Sequence, residues 1–416
     1  MSAPRIAIIG AGPGGLTLAC ILRRNGMQCN VFELDHDRSA RDQGGIVDLH
    51  REMGQLALRE AGLFEDFQKH SLPAAEAMKL VKSDGRVFWD ENDASRGETG
   101  LPGDRPEIDR AKLRDILLDS IQPDSIQWNR KLVRVEPTEG ANVKYNLHFT
   151  DGMEVGFDLV VGADGAWSKV RPLLTDELPF YSGITVIELK ASEVSTKKQW
   201  LADFTGQGSC FMFDEGRTLV CQRNGNDSIR VYAAVRQPET WVKDCGIDWD
   251  QSNAAQNIFT ERYFGDCHDD LKRVIAVEAS DGLIPRTLWM LPIGLKRSPR
   301  PGVTLLGDAA HLMTPFAGVG VNVALADALD LARSLLKRKS LFETDLRANL
   351  ADALREYEGP MFERANENMV KTWGGLRHHF SAGGIDERVE RLRGRAKLRE
   401  AARRREEAEM REKAKQ

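Results

Sequence analysis

Metal-ligand and disulfide spacings are missing from this sequence. Its six cysteines, at positions 20, 29, 210, 221, 245 and 267, contain no CxxC pair. That excludes a zinc ribbon or a dithiol redox motif and leaves isolated thiols as the expectation. Its eight histidines contain no HExxH pattern, and no metal site is expected. Apolar runs are short, well under the roughly 18 residues that a membrane span needs, so no membrane partner is expected. The first strand pattern begins within a few residues of Met1, so no signal peptide is expected, and a cytoplasmic location is. Pro- or Ser-rich linkers and internal repeats are also lacking. Excess positive charge is confined to one place. The net charge is −5, yet residues 387–416 hold 12 Lys/Arg against 7 Asp/Glu. An acidic body argues against a nucleic-acid partner. The tail reads as a solvated charged helix that should not line a ligand pocket, and a chain ending at Gly384 should keep its chemistry.

Glycine, by contrast, recurs where strands end. Residues 6–15 read IAIIGAGPGG, an apolar strand running into a glycine-rich turn and the helix LTLACILRRNG. A second strand, QCNVFEL, closes on Glu33. This spacing is the fingerprint of a βαβ unit that holds an adenine dinucleotide. Gly10 permits the tight turn, Gly12 lets backbone N–H groups approach a pyrophosphate, and Gly15 lets helix and strand pack closely. The helix N-terminus offers free N–H groups to phosphate. Glu33 stands where a carboxylate can accept bonds from ribose hydroxyls. The fingerprint alone does not separate NAD from FAD.

Two further strand ends carry the same character. DLVVGADGAWSKVR (158–171) delivers Asp164 to the carboxyl end of a buried strand, with Ser168, Lys169 and Arg171 expected on a new helix. Ligands in open α/β sheets bind at such ends, although an Asp before Gly also forms a simple Asx-turn. LLGDAAHLMTPFAGVGVNVAL (305–325) ends a strand at Asp308 and then builds a loop from Pro315, Gly318 and Gly320 that opens a helix near Val321. Such a helix end favours negative charge. His311 reads as a packed or capping histidine rather than a base.

Between these motifs the pattern changes. Residues 176–284 carry β-type runs (GITVIEL, SCFMF, TLVCQ, IRVYAAV) separated by turn residues, which predicts a mostly antiparallel sheet. The fold class is therefore α/β: a discontinuous Rossmann-like domain (1–75, 105–175 and 285–345), an inserted β-rich substrate domain (76–104 and 176–284), and a C-terminal helical segment (346–416). The inserted sheet should form the far wall of a pocket. Its polar candidates are Glu188, Arg230 and Arg286, with Phe211, Phe213 and Trp289 as aromatic walls. Strand alternation should turn about half of them away.

GAGPGG, GADGAWSKVR and GDAAHLMTPFAGVGVN, in this order, resemble the FAD-dependent aromatic hydroxylases of the p-hydroxybenzoate hydroxylase type. The resemblance spans roughly residues 5–375. Within that group GGIVDLHREMGQLALREAGL, PEIDRAKLRDILL and YEGPMFERA look most like the tetracycline-inactivating monooxygenases. The resemblance implies bound FAD, with NAD(P)H as reductant (NADPH favoured) and O2 as co-substrate. It implies that Glu33 binds the adenosine ribose, that Arg110 contacts the cofactor, that Asp308 binds ribityl or pyrophosphate-side groups, and that Gly318 to Asn322 (Gly318, Gly320, Val321, Asn322) line the isoalloxazine. Asp48 would lie near the flavin, and Asp164 belongs to a motif associated with both FAD and NAD(P)H.

The implied activity is hydroxylation of an electron-rich aromatic, polyketide or tetracycline-like small molecule through a flavin C4a-hydroperoxide, by a monomer. No catalytic base is readable. A flavin reductase without oxygenation and a non-enzymatic FAD-binding protein share the same motifs. The chain also departs from the pattern. Val319 replaces the usual Gln between the loop glycines, and Leu34 replaces an Arg after the ribose-binding acid. Read without gaps, Glu188, Cys210 and Arg230 stand where tetracycline-inactivating members have a Gln, an Arg and a His. Tetracycline is accordingly expected to be a poor substrate, and a fused-ring phenolic or polyketide a better one.

Overall fold

The computed structural model describes residues 3–93, 105–140, 143–279, 281–295 and 297–394. Residues 395–416 of the charged tail, and 94–104 of the segment expected in the substrate domain, lie outside the described residues. A five-stranded parallel sheet runs in the order Val303–Leu305, Leu159–Gly162, Ile6–Ile9, Asn30–Phe32, Ile126–Gln127. Its central strands Ile6–Ile9 and Leu159–Gly162 are apolar throughout because the sheet is covered by helices and by a three-stranded antiparallel sheet (Leu132–Pro137, Tyr145–Phe149, Gly152–Phe157) whose Phe149 and Phe157 rings pack on Phe32. The helix Pro13–Arg24 packs between this sheet and the helix Gly320–Lys337, so the first motif and the third are neighbours in space.

The first turn is glycine-rich for steric reasons. A Cβ on Gly10, whose φ is +110°, would sit 2.3 Å from the Ala163 carbonyl oxygen. One on Gly15 would sit 2.2 Å from that of Gly10. A Cβ on Gly12 would meet nothing within 4 Å, so this glycine faces open space.

A second sheet of seven strands runs Leu283–Met290, Phe180–Ser192, Ser228–Arg236, Arg217–Arg223, Ser209–Asp214, Met78–Val81, Val87–Asp90. All neighbours are antiparallel except Ser209–Asp214 with Met78–Val81. Its edge strand Leu283–Met290 crosses the boundary expected at residue 285. The outer face is apolar, with Ile187, Leu189, Met212, Leu219 and Val231 buried against Phe259, Phe264 and Leu271. Those last three belong to helical segments (Ser252–Phe264, Asp269–Arg273) inside the region read as a mostly antiparallel sheet. An apolar sheet face needs a cover, and these helices supply it. The helix expected after Gly165 is a single 3-10 turn, Arg171–Leu173. No helix of the described residues is long and apolar enough to cross a membrane.

The chain after the long helix Leu346–His379 corrects the reading of the tail. Ile385 and Val389 are buried against Leu80, Trp89 and Phe213 of the seven-stranded sheet. The Lys82 ammonium pairs with Asp386 at 2.9 Å. Arg388 and Leu392 reach the wall of the central cavity. Charge-rich composition hid this contact, because two apolar side chains suffice to anchor a short segment. Ile385→Ala should lower the unfolding free energy by about 2–4 kcal/mol in urea melts, the usual loss for truncating a buried Ile. A chain ending at Gly384 should be destabilised as well.

Candidate active site

The carboxyl ends of the parallel strands face the inner surface of the seven-stranded sheet across one cavity of about 1610 Å³. Pockets for a single small ligand are typically about 300–1,000 Å³, so this one has room for more than a substrate. Gly12 and Gly15 line it from the first motif, and Asp308, Pro315, Gly318, Gly320, Val321 and Asn322 from the third. Asp48 and Arg110 line it from the intervening segment. The sheet contributes Glu188, Arg230, Arg286, Phe211 and Phe213.

Alternation decides who faces in. Ile284, Arg286 and Leu288 line the cavity, whereas Trp289 turns away and packs edge-on against Trp167 and Tyr181. Cys210 also faces away, fully within the outer core. Burial pushes its thiol up to about 12, so it stays protonated.

Gly10, Glu33 and Asp164 stand behind the cavity wall rather than on it. Glu33 is buried, and its oxygens accept the Ala11 N–H at 2.6 Å and the Asp35 N–H at 3.0 Å. It therefore fixes the glycine turn to the end of the second strand. Asp164 accepts the Lys169 N–H, five residues on, at 2.7 Å and so closes its own loop, over a longer span than the Asx-turn expected. Its other oxygen has no partner, and burial raises its carboxyl above the usual range. Arg114, which the sequence reading passed over, is 1% exposed. Its guanidinium donates to the Ala11 carbonyl at 3.1 Å, the Arg38 carbonyl at 3.0 Å and the Asp35 carboxylate at 3.4 Å. It braces the back of the turn.

Asp308 is placed differently. Its carboxylate opens onto the cavity and has no hydrogen-bond partner among the described residues. Surrounding protein raises its carboxyl above the usual range, with His311, Arg110 and Arg171 opposing. Behind it, the buried Asp327 carboxylate collects three donors. Gly307 N–H donates at 3.0 Å, His311 Nε2 lies at 2.5 Å, and Arg364 donates at 2.9 Å. Burial alone would raise Asp327, but His311 and Arg364 outweigh it and hold it low. His311 is thus a packed histidine that orients the turn carrying Asp308.

Asn322 is a clamp. Its amide donates to the Asp48 carbonyl at 2.8 Å and accepts the His50 N–H at 2.7 Å, tying the Gly320–Lys337 helix to the strand Ile46–Asp48. The strand Ile46–Asp48 pairs antiparallel with Glu107–Asp109, which sets Asp48 opposite Glu107. One Glu107 oxygen is buried without a partner, and burial, with Asp48 and Glu76 nearby, pushes its carboxyl up to about 9. Neither Glu107 nor the Arg114 brace is marked in the sequence, because the cross-strand pairing that defines both environments is long-range.

On the sheet side, Glu188 is gripped by Arg230 and, at 2.5 Å, by Arg286. Arg230 also pairs with Asp42 from the segment before Gly44. This chain of alternating charge links the loop to the sheet.

These features fit FAD. An open-sided glycine at a helix N-terminus suits a pyrophosphate, and an unpartnered carboxylate in the cavity suits cofactor hydroxyls. The FAD binding domain family matches residues 4–340. The chain belongs to that family. Monooxygenase penA of Penicillium thymicola is 31% identical over 433 aligned positions, covering 92% of this chain and 97% of its own. With that relative matched almost end to end, this flavoprotein is an FAD-dependent monooxygenase, an oxidoreductase. Its fold is shared by Klebsiella pneumoniae HpxO complexed with FAD and uric acid, with a TM-score of 0.73 at 23% identity over 94% of this chain and 93% of that one. The tetracycline destructase Tet(51) has a TM-score of 0.65 at 19% identity over 95% and 97%.

Asp308→Ala should weaken FAD binding by about 1.5–3 kcal/mol, the range for hydrogen bonds to a charged group, in a fluorescence titration of apoprotein. Glu107 predicts a pH effect. The folded state keeps a proton that the unfolded chain loses near 4.5, so stability falls as pH rises from there to about 9. Glu107→Gln removes that fall. In thermal melts of apoprotein the variant should match wild type near pH 4.5 and exceed it increasingly toward pH 9.

Proposed function

We propose that this monooxygenase uses NAD(P)H, with NADPH favoured, and O2 to hydroxylate an electron-rich fused-ring phenolic or polyketide-like small molecule. The observation that carries the reading is the single cavity shared by the three glycine motifs and the inner face of the sheet. Bound FAD supplies hydride acceptance and oxygen activation, the steps that side chains cannot perform.

The protein's own groups would do the rest. Gly12 and the Pro13–Arg24 helix end hold the pyrophosphate, and Asp308 accepts from the cofactor's hydroxyls. The loop 315–320 and the start of the Gly320–Lys337 helix present N–H groups and partial positive charge where a reduced ring concentrates negative charge. Phe211, Phe213, Leu80 and Val186 give the sheet side an apolar floor that suits a flat ring and excludes water. Glu188 and Arg230 are spent on each other and on Asp42 and Arg286, so they are poor candidates for the polar contacts that a tetracycline would need.

The test is oxygen uptake and NADPH oxidation across a panel of fused-ring phenols, polyketides and tetracyclines. A fused-ring phenol should stimulate NADPH oxidation and yield a product carrying one added oxygen atom. Tetracycline should stay below a kcat/KM of roughly 10⁴ M⁻¹s⁻¹, the lower end of ordinary enzyme efficiency. Rapid tetracycline turnover, or oxidation without an oxygenated product from any member of the panel, would overturn the proposal.

A further inference from the structure

His379 occupies the last turn of the long helix Leu346–His379 and lines the cavity. It stands where three walls meet. The Phe213 ring of the seven-stranded sheet lies 4.0 Å from its ring centre, and the Phe316 ring of the loop 315–320 lies 5.2 Å away. The side chain therefore sits between the proposed substrate floor and the loop assigned to the flavin ring.

Its tautomer is fixed by a hydrogen bond. Nδ1 lies 2.7 Å from the Gly375 carbonyl oxygen. A carbonyl only accepts, so Nδ1 carries the proton. In a neutral imidazole Nε2 then holds a lone pair. The ring is neutral, because burial lowers it to about 4, with Arg388, His378 and Arg391 acting in the same direction against the Gly375 bond. Nε2 has no hydrogen-bond partner among the described residues, and it is not among their sealed-off polar atoms. A good acceptor thus faces a cavity whose neighbouring walls are aromatic. An acceptor that no protein group occupies is open to a ligand, and one that brings an O–H can complete it.

We propose that His379 Nε2 accepts a hydrogen bond from a ring hydroxyl of the substrate, and so selects phenols and enols over their ethers. The contact also has a chemical consequence. An acceptor at the hydroxyl proton pushes electron density into the ring, which suits attack on an electrophilic oxygen. This rests on the aromatic reading given under Proposed function.

The test uses the FAD-loaded full chain with two probes, 2-naphthol and its methyl ether 2-methoxynaphthalene. Binding is read from perturbation of the flavin absorbance. Wild type should prefer the naphthol by roughly 3- to 10-fold, the worth of one neutral hydrogen bond. His379→Phe keeps the ring contacts without the acceptor and should bind both alike, while His379→Gln, which retains an acceptor, should recover part of the preference. A preference that survives in His379→Phe overturns the proposal, as does a wild type that binds both probes equally. A wild type that binds neither overturns the aromatic reading itself, and the proposal with it. Imidazole ¹⁵N shifts of wild type give a check free of any variant. Nε2 should be unprotonated and should shift on adding the naphthol, and a proton found on Nε2 contradicts the assignment.

Discussion

Two parallel strands, Ile6–Ile9 and Leu159–Gly162, end side by side, and the turns that leave them are pressed together until no Cβ fits between. The rest of the site depends on that close approach. It forces glycine at position 10, and the same crowding at Gly15 seats the following helix on the sheet. Glu33 and Arg114 then hold the turn from behind, one through the Ala11 N–H and the other through its carbonyl. The backbone facing the cavity is left free of side chains. A pyrophosphate can approach it because everything that could move has been tied down on the other side.

The third motif repeats the idea with different chemistry. Asp327 gathers Gly307, His311 and Arg364 behind the strand end, and this leaves Asp308 as the one carboxylate of the turn that is directed at the cavity. Asn322 and the Asp42–Arg230–Glu188–Arg286 chain then couple neighbouring elements. In both motifs hydrogen-bonded groups behind the strand end hold the turn that meets the cavity.

What could be read from the chain follows from range. The glycine turns are set by local backbone geometry, so the three motifs and the parallel sheet they terminate were visible. The alternation that separates Arg286 from Trp289 was foreseen as a rule but not residue by residue, because one register step inverts it. Glu33 closes the second strand as expected, and it also accepts the Ala11 and Asp35 N–H groups, a bracing role that the spacing did not announce. Glu107, Arg114 and His379 carried no signal, since their environments are made by segments far away in sequence. The segment after Gly384 was misread because composition averages over residues, while packing depends on single ones such as Ile385.

An unpartnered acid such as Asp308 makes the protein's stability partly the property of its cofactor. Asp308 is exposed at the cavity surface and no group of the described residues donates to it, so its donors are left to a ligand. Any molecule that binds only the folded chain and supplies those donors draws the equilibrium toward the native state by mass action. Cellular supply of the dinucleotide then governs how much of this protein persists as well as how much of it is active. Under flavin shortage the empty form is the one exposed to unfolding and to proteases.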